Sequence, residues 1–509
     1  VKRSYQSIVG LKPGAEYRER GRTAKVEGFG EMRALVYYCR GRARFVERRP
    51  IFWTENDVLA RVDCIHRCGT DVKTVKNGRA DQIDETIISD LRDIAGVEGE
   101  YNPRNAAAYF EFLQTGRRDG AVKDALYERM VERLSSEADR KRLWAQVLTE
   151  GGRILGHEMT VTVVKVGSNV KNLTEPLGYT EHADELSAEY LDFQPGERLT
   201  VQTRVAKYEP PPEHLRTRGD VRGVQLLGDN HENMAMTLDG GFSQFLRLTP
   251  EMIRSGSLIR VPEGINDVET ALVEPTACLL DCLNLTTHSE GQGNHGNILK
   301  TGVKRDGVTA VIGSGAMGFI AVALSLSQDE KVPVGHAAKV VMLVRSEYKA
   351  ELGRKLFGNG EPLEFLIDPP GTKPEEIVRH ARSVYGGDFG FDDIVLAGGG
   401  PEALALAHML GKDTGTRIHA FAGTRGPITV ESGFWHYGNA ATSGTSGCNT
   451  KAMENVIGMI ERGLKLERFS GKRYTLGDIE SDPMKFFDDT YLRPLLLPNE
   501  GLPDPEWQE

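Results

Sequence analysis

Apolar and polar positions alternate through residues 31 to 65 in three runs, "ALVYYC", "RFVERRPI" and "DVLARVDCI", broken by Arg, Asn, Asp and Gly. A period of two predicts short strands with one buried face. The texture changes at about residue 80. In "DGAVKDALYERMVERLSSEADRKRLWAQVL", Val122, Leu126 and Met130 recur every four positions, with Leu134 next on the same face, which predicts helix. Ser136 followed three residues later by Asp139 predicts a helix start with Ser136 as the N-cap. Alternation returns in "MTVTVVKVGSNV", "RLTVQTRV" and "GGFSQFLRL". From about residue 300 the order becomes strand, glycine turn, helix: "VTAVIGSGAMGFIAVALSLS", "KVVMLVR", "FDDIVLAGGGPEALALAHML", "TRIHAFAGT". That order predicts a parallel sheet with crossover helices.

A chain of 509 residues is too long for one core and predicts at least two domains. The hydrophobic share of 39% and charged share of 27% are those of an ordinary globular α/β protein. No apolar run reaches bilayer-spanning length, and the basic N-terminal stretch lacks the apolar core of a signal peptide. A net charge of −10 argues against a nucleic-acid partner, whose phosphates need a positive field. Six dispersed cysteines do not form a disulfide framework. A cytoplasmic protein acting on a small molecule, with no membrane partner, is expected.

The first motif with chemistry is "AVIGSGAMG", which sets Gly313, Gly315 and Gly318 in G-x-G-x-x-G spacing between an apolar strand and a helix. The first glycine permits a tight turn, the second lets backbone approach a pyrophosphate, and the third lets helix pack on strand. Ala316 and Met317 complete the turn. An acid that holds the ribose of NAD is expected at the end of the next strand. Val344 stands there instead, followed by Arg345 and Ser346. Arginine is suited to a 2′-phosphate, which inclines the reading to NADP over NAD; a solvated surface arginine is the competing reading.

Cys68 in "HRCGTD", His157 and Glu158 in "GHE", and Glu274 in "LVEPTAC" are suitable zinc ligands. Taken singly, each has a plainer reading: a lone cysteine is usually a small buried hydrophobe and a lone histidine a satisfied core or surface residue. Spacing alone does not unite them.

The ordered set "CGTD", "GHE", "VGSNV", "PGERLTV", "GGFSQFLRL", "VPEGINDVETALVEPTAC" and "VIGSGAMG" resembles the zinc-dependent medium-chain dehydrogenase/reductase family in its sorbitol (polyol) dehydrogenase-like branch, from about residue 31 to about 470. The resemblance implies an α/β fold: a GroES-like β-rich catalytic domain with an inserted Rossmann dinucleotide-binding domain. It divides the chain into an N-terminal extension (1–30), a catalytic domain (31–274) with a helical insertion at about 80–148, a Rossmann domain (275–440), and a return to the catalytic domain with a tail (441–509). It implies one catalytic zinc at Cys68, His157 and Glu158. Glu274 matches the acid that approaches from the opposite side, as ligand or through bound water. Thr70 matches the hydroxyl of a proton relay, and Asp71 a hydrogen-bond acceptor behind a ligand. The implied activity is hydride transfer between NADP or NAD and a secondary alcohol or ketone of a polyol, sugar or sugar phosphate, in a homo-oligomer (dimer or tetramer).

The chain also departs from the family. The connection from "CGTD" to "GHE" is longer, so the helical segment is extra: a roof over a cleft, a subunit contact or a surface decoration. Residues 201–240 contain no cysteine, so the family's second, structural zinc is expected to be absent. Extra chain, "SEGQGNHGNILKTGVKRDG", follows Glu274. The tail "FWHYGNAATSGTSGCNTKAMENVIGMIERG" resembles, more loosely, L-sorbose-1-phosphate reductase. Two other readings compete: a zinc alcohol or threonine dehydrogenase, and a redox-inactive nucleotide-binding scaffold. The intact "CGTD" and "GHE" argue against the scaffold.

Overall fold

The computed structural model describes the chain apart from residues 1–7, 9, 20–21, 79–82, 178–184, 207–230, 291–297, 359, 388 and 424–425. Much of the cysteine-free stretch 201–240 and of the extra segment after His288 therefore lies outside the described residues. Two units form: Val1–Pro262 with Gly471–Glu509, and Glu263–Ser470.

The first unit is β-rich. The runs expected as short strands are partly long ones, Arg22–Cys39 and Arg42–Thr54, joined at Gly41, whose φ of 70° suits the tight reversal. They form a four-stranded sheet with Glu16–Glu19 and Arg153–Ile154. "DVLARVDCI" becomes Val58–His66, an inner strand of a seven-stranded sheet. Sequence alternation suggested one wet face. Instead Val58, Leu59, Ala60, Val62, Cys64 and Ile65 are all buried, because both faces are covered. Its antiparallel neighbours are Glu158–Val166, Phe245–Leu248 and the C-terminal strand Arg493–Leu497. The last pairing, Leu495 opposite His66, returns the chain end to the strand that precedes Cys68.

Helices Ile83–Ala95, Ala106–Thr115, Ala125–Arg133 and Glu137–Glu150 fill the insertion. Ser136 caps the last of them: its hydroxyl accepts from the Asp139 N–H at 3.1 Å and donates to the Asp139 carboxylate at 2.7 Å. The expected continuous helical face is broken at Leu134–Ser136. Val122 precedes its helix, which starts at the Asp124 cap. Tyr109, Phe110, Leu126, Tyr127 and Met130 are fully buried in one cluster with Val36, Tyr37 and Tyr38 of the long strand. Burying an aromatic or large aliphatic side chain is worth roughly 1.5–3 kcal/mol. The insertion is thus a layer of this unit's core rather than a surface decoration. Polar ties complete it: Tyr37 donates to Asp84 at 2.8 Å, and Arg153 pairs with Asp90 at 2.6 Å.

The second unit carries a six-stranded parallel sheet in the order Leu363–Ile367, Lys339–Val344, Val308–Ile312, Asp393–Leu396, Arg417–Ala420, Ala441–Ser443. This is the doubly wound 3-2-1-4-5-6 order of a dinucleotide-binding sheet. The chain enters this unit at Glu263 and leaves at Ser470, where sequence reading set boundaries at 274 and 440. The reason is pairing and packing. Ala441–Ser443 extends the sheet, and helix Thr450–Glu461 packs on helix Val273–Asn284. Among the described residues no helix is long and apolar enough to cross a membrane.

Candidate active site

Cys68 ends the turn after strand Val58–His66 and is the N-cap of helix Gly69–Asn77. Its sulfur accepts from the Thr70 N–H at 3.4 Å, so it lies against the first turn of the helix. Asp71, in the first turn, accepts from the Cys68 N–H at 2.9 Å and from the Gly156 N–H at 3.3 Å. One buried carboxylate therefore ties the "CGTD" turn to the start of "GHE". Gly156 has a φ of 87°, and a side chain there would strike Ile65 and Phe242, so only glycine lets the two segments close.

That closure brings together three of the four expected metal ligands. One ligand atom each from Cys68, His157 and Glu158 lies within 4.8 Å of the others. His157 Nε2 is 3.9 Å from Glu158 Oε1, and Nδ1 on its other side is 3.8 Å from Asp71 Oδ1. His157 and Glu158 are buried; Cys68 is partly exposed. Burial opposes a charge on His157, yet the Cys68 sulfur, Asp71 and Glu158 hold its pKa well above the ordinary value. Burial, with Glu158 adding, pushes the Asp71 carboxyl up. The site is thus an excess of anionic donors around one imidazole.

A tetrahedral ion with bonds of about 2.0–2.3 Å separates its donors by about 3.3–3.8 Å. The observed spacings need only a small contraction, and the donor set of thiolate, imidazole and carboxylate is that of zinc. The residues fit the metal.

Sequence reading missed one participant. Arg493, 335 positions beyond Glu158, donates from both arms of its guanidinium to the two Glu158 oxygens, through Nε at 2.6 Å and through Nη2. Both side chains are buried. A carboxylate has four lone-pair sites, so this grip orients Glu158 and leaves it able to accept further. Nothing local in "LRPLLL" announces the role; only the pairing of the C-terminal strand beside Val58–His66 does. Arg67 secures the same return by donating to the Phe486 and Phe487 carbonyls at 2.8 and 2.7 Å.

Glu274 belongs to the second unit. It lies in the first turn of helix Val273–Asn284, where its Oε1 accepts from the Cys278 thiol at 3.3 Å. Cys448 joins them, with one ligand atom of each within 4.8 Å of the others. The Cys448 contact, burial and the Glu274 charge push the Cys278 thiol well above its ordinary pKa. The two cysteines were not singled out by sequence. The signal present was Cys278 one helical turn after Glu274.

The glycine turn has the geometry its spacing implies. Gly313 adopts φ 120° and abuts the Gly398 backbone at 2.7 Å from where a Cβ would be. Gly315 caps helix Ala316–Leu326 with open space around it, and a Cβ on Gly318 would collide with the Gly313 carbonyl. Ala316 is buried and Met317 follows it in the first helical turn. Val344 is buried and offers no acceptor; Arg345 and Ser346 are exposed beyond it. Gly313, Val344 and Arg345 line a cavity of about 180 Å³ at the C-terminal ends of the central strands.

No protein-family model matches the chain, and no curated protein sequence does. Solved structures do. The chain is similar to 2R,3R-butanediol dehydrogenase from Bacillus subtilis, with 16% identity and a TM-score of 0.58, over 92% of this chain and 100% of that one. It is similar to galactitol-1-phosphate dehydrogenase from Escherichia coli, with 15% identity and a TM-score of 0.55, over 92% and 100%. It is also similar to the zinc-dependent alcohol dehydrogenase 2 of Streptococcus pneumonia, with 15% identity and a TM-score of 0.55, over 93% and 100%. At these identities the likeness establishes the fold: the α/β architecture of dehydrogenases with a GroES-like and a Rossmann domain.

Proposed function

We propose that this protein is a zinc-dependent, NAD(P)-linked oxidoreductase that transfers a hydride between the dinucleotide and a secondary alcohol or ketone of a polyol, sugar or sugar phosphate. The observation that carries the reading is the Cys68–His157–Glu158 donor set, closed by Asp71, in a chain whose other unit holds an open glycine turn at a helix N-terminus. A nucleotide-binding scaffold without chemistry has no use for a partly exposed thiol gathered with a buried imidazole and carboxylate.

Cys68, His157 and Glu158 would hold the metal. Zinc, when bound, supplies Lewis acidity that lowers the pKa of the substrate hydroxyl. The chain's own residues do the rest. Asp71 lies 3.8 Å from His157 Nδ1 and holds the start of "GHE" in place through the Gly156 N–H. Arg493 fixes the plane of the Glu158 carboxylate and offsets its charge. Thr70, two residues from Cys68, carries the hydroxyl assigned to accept the released proton and pass it on. Gly315 and the helix behind it receive the pyrophosphate. Polyhydroxylated substrates are favoured by the resemblance and by the similarity to galactitol-1-phosphate dehydrogenase, and a homo-oligomer is expected from the resemblance alone.

The test is metal analysis of freshly purified protein together with dinucleotide reduction across a panel of polyols, sugars and sugar phosphates, run with both NAD and NADP. Zinc content with turnover on a member of the panel is the expected result. Absence of zinc, or zinc with no dinucleotide-dependent turnover on any alcohol, overturns the reading.

A further inference from the structure

The second unit gathers two thiols that hydride transfer does not call for. Glu274 and Cys278 stand one turn apart on helix Val273–Asn284, so their side chains share a face. Cys448 arrives from the segment just before helix Thr450–Glu461, which packs on the first helix. A polar clamp fixes that approach: the Asn449 N–H and the Asn449 side-chain amide both donate to Asp281 Oδ2, each at 3.1 Å. Asn449 in turn caps its own helix by accepting from the Ala452 N–H at 2.8 Å. The place of Cys448 is therefore set by its neighbour's hydrogen bonds to both helices.

One ligand atom each from Glu274, Cys278 and Cys448 lies within 4.8 Å of the other two. Glu274 Oε1 and Cys278 Sγ are 3.3 Å apart. Bonds of about 2.0–2.3 Å to one tetrahedral ion set such donors about 3.3–3.8 Å apart, so the third has to close by about 1 Å or less. Glu274 and Cys448 are buried, and Cys278 is partly exposed. Packing accounts for either sulfur alone, since cysteine serves as a small hydrophobe. It does not account for two sulfurs from different helices gathered on one buried carboxylate, because S–H is a weak donor and gains little there.

The donor chemistry selects the occupant. Two thiolates and a carboxylate suit a thiophilic divalent cation of the zinc and cadmium class, whereas magnesium and calcium take oxygen ligands. Both thiols must give up a proton as an ion enters, so the site loads from added metal rather than in the protein as purified.

We infer that Glu274, Cys278 and Cys448 form a second metal site, for a thiophilic divalent cation, which clips helix Val273–Asn284 to helix Thr450–Glu461. Cys68, His157 and Glu158 lie in the other unit and take no part in it. Glu274 is expected at the catalytic metal by resemblance; the two thiols are what the second site adds, and its test turns on them.

The full-length protein is equilibrated with excess cadmium, freed of unbound ion by gel filtration, and assayed for zinc plus cadmium. The wild type is expected to hold two ions per chain and Cys278→Ser/Cys448→Ser one, with the thiolate-to-cadmium absorption falling in step. Cys282→Ser, one turn further along the same helix, should keep the wild-type total. Cys278→Ser alone, at a partly exposed position, takes the place of the double variant if that does not fold. A wild-type total that stays at one ion after cadmium overturns the inference with no variant needed. So does a folded thiol variant that keeps the wild-type total. Cys68→Ser should lose the other ion and keep the one that depends on Cys278, so the two sites stand or fall separately.

Discussion

Replacing Arg493 by Met should destabilise the metal-free protein far more than the zinc-loaded one. The substitution keeps length and apolar bulk but removes the fork that holds both Glu158 oxygens. Glu158 is 1% exposed, so no water takes over. Breaking such a buried pair by removing one partner costs about 3–5 kcal/mol, because the remaining charge is left uncompensated. At an unfolding entropy of about 2.1 cal/mol/K per residue, a unit of roughly 300 residues shifts by about 1.5–2 °C per kcal/mol, so a loss of about 5–10 °C is expected. Zinc, when bound, would offset the Glu158 charge, and the loss should shrink to a minor part of that. Thermal unfolding of wild type and Arg493→Met, each in chelator and in excess zinc, supplies the four numbers needed. The double variant with Glu158→Gln should recover much of the loss in chelator, since no buried charge is then stranded. An Arg493→Met shift under about 2 °C in chelator, or an equal shift with and without zinc, would refute the reasoning.

Cys68→Ser should abolish turnover while NAD(P) still binds, because the thiolate and the glycine turn are in different units; near-normal kcat would remove Cys68 from the metal set. Metal analysis should return one zinc per chain, falling sharply in His157→Ala; two per chain would mean that the Glu274, Cys278 and Cys448 donors hold an ion of their own. NADP should be accepted at least as well as NAD, with Arg345→Ala raising KM for NADP selectively by about tenfold or more; a strong NAD preference indifferent to the substitution would leave Arg345 a solvated side chain. In the second unit Asp393 accepts from His288 and His419, each at 2.9 Å. Burial opposes its charge, but these two histidines win and depress its pKa to about 2, against about 3.9 in an unfolded chain. A depressed carboxyl stabilises above the unfolded value and loses that contribution as pH falls from about 4 through about 2. Asp393→Asn should therefore lower the unfolding temperature at neutral pH and flatten its decline over that interval; an unchanged acid limb would show that the histidines do not stabilise the carboxylate.

What the sequence determined by itself is what depends on neighbours along the chain. The glycine turn is one instance: Gly313, Gly315 and Gly318 lie within six residues, and the demand on Gly318 is set by the Gly313 carbonyl five residues before it. The Ser136 cap is another, since its partner Asp139 is three residues away. Cys68, His157 and Glu158 were legible through short motifs whose order matched a family. Tertiary structure decided the rest. The insertion reads as a charged helical segment, yet Tyr109, Phe110 and Tyr127 face inward only because the long strand Arg22–Cys39 offers Tyr37 and Tyr38 to pack on. Val58–His66 alternates, yet is covered on both faces because of where it falls in its sheet. Glu274 is expected at the metal by resemblance; that its own unit also sets it beside Cys278 and Cys448 is visible only in the fold. Arg493 meets Glu158 because the chain's last strand pairs back onto one that ends more than 400 residues earlier. A buried charge needs a partner in space, not in sequence, so the carboxylate could be read from its motif while the guanidinium that satisfies it could be found only in the folded chain.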